Sequence, residues 1–108
     1  NPLCGKWMGV CHSADIEPVF GIPFLDTIRF NDRERYISGL MIDVFSTFAK
    51  TGKPPAIGGA DWPEFYAIGN KTLYPYYEVT NYPKNDTNFS FGLKNTECER
   101  LFKPFVEN

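Results

Sequence analysis

One residue in this sequence is of the type suited to proton transfer near neutral pH, His12, which follows the apolar Val10 and Cys11 and precedes two carboxylates, Asp15 and Glu17. An imidazole in such company can take a proton from a nucleophile and later return it to a leaving group, if a carboxylate fixes its tautomer. A lone histidine is more often a hydrogen-bonded structural residue, and the residue types alone favour that role. Cys11 adjoins it, but adjacent side chains on a short extended run point apart, so a Cys-His nucleophile pair is not expected and Cys11 reads as a small buried side chain. With Cys4 and Cys98 the cysteine count is odd, so at least one thiol is free or bonded outside the chain, and a Cys4–Cys98 link stays open. No paired CxxC or cluster of ligand-type residues suggests zinc; neither a metal nor a cofactor is expected.

The elements that must hold these residues are announced locally. Asn31-Asp32-Arg33-Glu34 has the form of a capping box, and Ile37, Leu40, Met41, Val44, Phe45 and Phe48 then recur at helical period. This predicts a long helix whose apolar stripe is core, covered by a neighbouring sheet, and which stops at Gly52 ahead of Pro54 and Pro55. Asp15 is suited to cap a short helical turn from Ile16 to Phe20. Thr72 to Thr80 is rich in β-formers but interrupted by Pro75, which suits a weak edge strand. A second strand at Asn88 to Leu93 would complete a peripheral hairpin. Asn95 or Thr96 can cap a short closing helix bearing Cys98, Leu101, Phe102 and Phe105, with Pro104 placing its last turn in doubt.

Composition sets the outer bounds. With 43% hydrophobic and 17% aromatic residues in 108, the chain can drive collapse of one core, and a net charge of -2 without a basic stripe gives no footing for nucleic acid. No apolar run approaches the length of a membrane helix, and Asn1 to Lys6 lack the basic start and apolar stretch of a signal peptide. A chain without an initiating Met that opens so close to a candidate catalytic residue reads as a segment of something longer. Sequons at Asn70, Asn85 and Asn88 favour a secreted, glycosylated surface.

Trp7 to Pro23, WMGVCHSADIEPVFGIP, resembles the histidine segment of the cholinesterase and type-B carboxylesterase family, in which Trp-Met-Gly-Val precedes the catalytic histidine and Val-Phe-Gly-x-Pro follows it. The resemblance continues through Phe48 to Pro54 (FAKTGKP), similar to the family's FAKTGNP, and through Trp62-Pro63-Glu64-Phe65, similar to its Trp-Pro-x-aromatic turn. It implies an α/β-hydrolase whose triad runs Ser, then Glu or Asp, then His, with residues 1–108 forming the C-terminal part of a single such domain, incomplete and inactive alone. On that reading His12 is the general base. Neither a GxSxG elbow nor an oxyanion-hole glycine run occurs in these residues, so nucleophile and acid would lie upstream.

The resemblance also gives Asp15 a supporting role, as a carboxylate hydrogen-bonded near the nucleophile, which is compatible with its being a cap. Trp7 and Met8 match positions near the family's site, where they would line the pocket wall or simply pack as buried side chains. Cys98 stands where the family places one partner of an intrachain disulfide, implying a cysteine outside this chain. Ser13 departs from the Gly that usually follows the histidine, and Ala14 replaces an aromatic of vertebrate acetylcholinesterases. The implied activity is carboxylic ester hydrolysis, with acetylcholine the favoured small-molecule ester, in a protein secreted or held on the extracellular face of the membrane. Homo-oligomers are compatible with it. The alternative is a non-catalytic, cholinesterase-like adhesion protein of the neuroligin type, which keeps the fold but lacks the nucleophile.

Overall fold

The computed structural model describes residues 4–68, 71–80 and 89–106. After a 3-10 turn at Lys6–Met8, two one-turn helices, α1 (Ile16–Val19) and α2 (Ile22–Leu25), lead into the long helix α3 (Asp32–Thr51). The expected capping box is formed. Glu34 N donates to Asn31 Oδ1 at 3.0 Å and Asn31 N donates to Glu34 Oε2 at 2.8 Å, satisfying two backbone donors that a helix start otherwise leaves open. Gly52 ends the helix in the left-handed conformation, its N–H donating to Phe48 O at 2.8 Å.

The α1 and α2 helices lie on α3, and the joint is polar. Ser38, with no accessible surface, donates from Oγ to the Pro18 carbonyl at 2.6 Å. Gly21 links α1 to α2 at φ 76, ψ 15, which only glycine adopts readily, and a Cβ there would sit 3.4 Å from Ile42 Cδ1. Pro23, fully buried, is the second residue of α2, in the first turn, where its fixed φ and missing donor cost little.

Two antiparallel ribbons follow. Strand β1 (Tyr66–Ile68) pairs with β2 (Lys71–Leu73) in the register Tyr66↔Leu73, and β3 (Pro75–Tyr77) pairs with β4 (Phe89–Phe91) in the register Tyr77↔Phe89. The strand expected over Thr72 to Thr80 is thus split at Tyr74, because Pro75 cannot donate to a continuing ladder. The expected hairpin with the segment near 88–93 forms between β3 and β4, whereas β1 was not foreseen. Trp62 packs edge-on to Phe89 with ring centroids 5.4 Å apart and lies 6.0 Å from Tyr77, tying the preceding loop to this ribbon. The closing helical stretch runs α4 (Asn95–Glu97), a π-turn at Cys98–Phe102, and α5 (Lys103–Val106). Pro104 is tolerated because the wider π-turn shifts the pairing, Lys103 N bonding back to Cys98 O, just before the residue that has no donor.

The single core that the composition permits does not form. Among the described residues only Phe30 and Ile57 are buried hydrophobics, while Phe45 and Phe48 in the α3 stripe are 59% and 54% exposed. The chain exposes 8721 Å², against about 6,100 Å² for a compact monomer of its mass, and its radius of gyration is 16.6 Å against about 13 Å. Among the described residues no sheet covers the stripe: the strands form separate two-stranded ribbons, and α3 packs chiefly on α1 and α2. No helix among the described residues is long and apolar enough to cross a membrane. Expressed by itself, this chain is therefore expected to bind an apolar dye strongly and to melt without a sharp calorimetric transition. A cooperative transition with no dye uptake would show that it makes a core unaided. Asn31→Ala should lower the helix content, read by circular dichroism, because it removes the side-chain acceptor of the Glu34 N–H.

Candidate active site

His12 begins a turn that runs to Asp15 and leads into α1. Ala14 N donates to Cys11 O at 3.2 Å and Ile16 N to Ser13 O at 3.3 Å, closing the turn that carries the imidazole, which is exposed and has no partner among the described residues. The turn depends on left-handed backbone on either side. Gly9 lies at φ 63, ψ -123, a region essentially closed to other residues, and Ser13 adopts φ 65 with a Cβ present. A glycine would adopt the Ser13 conformation without that steric cost.

Asp15 occupies the N-cap position of α1, but its own backbone is helical, φ -78 and ψ -21, and its side chain makes no capping bond. A capping oxygen reaches the first turn from extended backbone, so the cap expected of Asp15 is absent in chemistry though right in place. Its carboxylate is exposed, and nothing in these residues joins it to His12. Trp7 and Met8 sit on the 3-10 turn, 87% and 47% exposed, so the packing role expected for them is not met within this chain. Cys11 is corrected outright: it is half-buried and forms a disulfide with Cys4 across a Cα separation of 6.1 Å, which also removes the Cys4–Cys98 pairing. The sevenfold sequence separation brings the two within bonding reach by way of the 3-10 turn and Gly9, a path that spacing alone does not display. Cys98 is exposed, with a free thiol. Asn70, Asn85 and Asn88 lie outside the described residues.

Sequence reasoning missed the charged group that Glu17, Asp26 and Arg29 form. Arg29 Nε donates to Asp26 Oδ2 at 2.5 Å and its backbone N to Asp26 Oδ1 at 3.0 Å, while a terminal nitrogen of the guanidinium reaches Glu17 Oε1 at 3.4 Å. The side-chain hydrogen bond from Arg29 is the main reason the Asp26 carboxyl is held below its ordinary range and the Arg29 guanidinium above its own. For Asp26 the stabilisation is complete above the ordinary carboxylate range and is lost as pH falls through the lowered value. Glu17 Oε2 is buried without a hydrogen-bond partner among the described residues. The i, i+3 spacing of Asp26 and Arg29 was a legible signal; Glu17's share in the group needed the fold. A shallow open groove of about 460 Å³ runs along α2 and α3 past Phe24, Tyr36 and Leu40, and none of the candidate residues lines it.

The carboxylesterase family model matches residues 1–101. The chain belongs to the carboxylesterase family. An acetylcholinesterase of Leptinotarsa decemlineata is 39% identical over 96 residues, covering 89% of this chain and 14% of the relative. An acetylcholinesterase of Bungarus fasciatus is 39% identical over 69 residues, covering 62% of this chain and 11% of the relative. A bile salt-activated lipase of Homo sapiens is 42% identical over 53 residues, covering 49% of this chain and 7% of the relative. The chain therefore spans a seventh or less of the length of these carboxylesterase relatives. In a full-length carboxylesterase carrying this segment, Ser13→Gly should raise the urea midpoint by an amount worth about 1 kcal/mol, since it removes the left-handed strain; an unchanged or lowered midpoint would place Ser13 in a different conformation there.

Proposed function

We propose that these residues supply the histidine of a Ser-Glu/Asp-His triad in a secreted carboxylic ester hydrolase with the α/β-hydrolase fold, and that they form the C-terminal part of its single catalytic domain. The observation that carries this reading is His12 itself, an accessible imidazole on a turn whose backbone needs the flanking motif residues, in a chain of the carboxylesterase family. In the reaction His12 accepts the proton of the serine hydroxyl as that oxygen attacks the ester carbonyl. It returns the proton to the departing alcohol, then takes another from the water that hydrolyses the acyl-enzyme. The serine and acid belong to the remainder of the protein, as does the cysteine that pairs with Cys98. Asp15 supports the site as a carboxylate near the nucleophile, and Trp7 and Met8 contribute to the pocket wall.

Among substrates, a choline ester is favoured, because two of the relatives above are acetylcholinesterases by name and the Trp-Met-Gly-Val lead resembles theirs. Ala14 stands where vertebrate acetylcholinesterases place an aromatic, so their ligand preference is not carried over to this chain. Asn70, Asn85 and Asn88 are the proposed glycan acceptors of the extracellular protein.

The full-length protein should be labelled by a fluorophosphonate, which reports an activated serine, and His12→Ala should reduce turnover about 10⁴-fold or more while secretion persists. Silence toward the probe would favour the neuroligin-type adhesion reading, and surviving activity in the His12 variant would assign the base elsewhere.

A further inference from the structure

We propose that the Cys4–Cys11 disulfide is a positioning element for His12, a crosslink that fixes the approach to the imidazole where packing does not. The inference rests on His12 acting as the base. Residues 5 to 10 between the two cysteines are all exposed, Trp7 and Val10 at 87% and 98%, and none contributes a buried side chain. Among the described residues, one hydrogen bond joins backbone groups of this loop, from Met8 N to Gly5 O at 2.9 Å. Gly9 turns the chain at φ 63 and ψ -123 with open space where a Cβ would lie, and its carbonyl lies 3.4 Å from the Cys4 sulfur, so the contact at this turn comes from the crosslinked residue itself. An exposed loop of this kind, entered through a glycine, samples many conformations unless something fastens both ends.

The crosslink does this. Cys11 is both its second anchor and the residue whose carbonyl accepts the Ala14 N–H at 3.2 Å, the bond that closes the turn over His12. Fixing Cys11 therefore fixes one end of the His12 backbone, and the turn and α1 fix the other. The imidazole must lie within hydrogen-bond reach of a serine supplied by another part of the chain, and a displacement near 1 Å costs roughly a hundredfold in rate.

The test uses the full-length secreted protein with Cys4→Ser/Cys11→Ser, measuring turnover per active site, the sites being counted by fluorophosphonate titration to its end point. Positioning predicts that kcat per titrated site falls 10- to 100-fold with KM changed less than threefold. A normal rate per site, whether or not fewer sites titrate, would overturn the proposal, because the crosslink would then serve folding alone. If the double variant is not secreted, brief phosphine reduction of the native protein, stopped where mass mapping finds Cys4 and Cys11 alkylated but not Cys98, followed by the same per-site rate, gives the same reading. Alkylation mapping of the unreduced protein is the independent check: modification of Cys4 and Cys11 without reductant would show that the bond is absent. A His12→Ala control that retained full activity would sink the underlying assignment of the base, an outcome separate from any result at the cysteines.

Discussion

Ser38 and Pro18 make the contact on which the arrangement of this chain depends. The serine hydroxyl has no accessible surface and donates at 2.6 Å to a carbonyl twenty residues earlier, which also accepts Gly21 N at 3.2 Å. Burying a hydroxyl is unfavourable unless it is bonded, so the two helices can close here only in the register that pairs these atoms. An aliphatic residue at position 38 could fill the space but would not select that register. Because α3 is itself fixed at both ends by the Asn31-Glu34 box and by Gly52, the bond transfers its position to α1, and so to the turn carrying His12.

The letters of the histidine segment are largely backbone requirements. Gly9 and Gly21 occupy conformations that a side chain resists, Pro23 sits in the first turn of a helix where its ring fits, and Ser13 takes a glycine-like φ without being glycine. A resemblance carried by such residues therefore transmits the path of the chain. It transmits less about polar partners, which depend on what comes near: Asp15 stands in the expected place without the expected bond, while Glu17 joins Arg29 across twelve residues.

What could be read from sequence was what is determined locally. The capping box, the stripe at helical period and the terminal glycine all lie within 22 consecutive residues, and α3 begins and ends where they indicate. The β3–β4 ribbon was legible from its β-formers, and Pro75 marked its edge. The β1–β2 ribbon escaped because Tyr66-Ala67-Ile68 is too short to show a period of two; the Gly69-Asn70 dipeptide between it and β2 was the available signal. The Cys4–Cys11 pairing was illegible for a different reason, since it follows from the 3-10 turn and from Gly9, which together decide where eight residues of chain lead.

The exposed apolar surface follows from the same separation of local from distant. Local signals are strong enough to build α3, but a helix of this kind gains most of its stability by burying its stripe. Phe45 and Phe48 would each contribute roughly 1.5–3 kcal/mol if covered, and Leu101 and Phe102 on the closing helical stretch, 59% and 63% exposed, stand to gain in the same way. Polar bonds can set the register of α1 on α3, but each nets only about 1 kcal/mol, less than a covered aromatic. The described residues thus fix the geometry of the histidine turn with hydrogen bonds, a disulfide and special backbone conformations, and they present to solvent the apolar area whose burial would make that geometry stable.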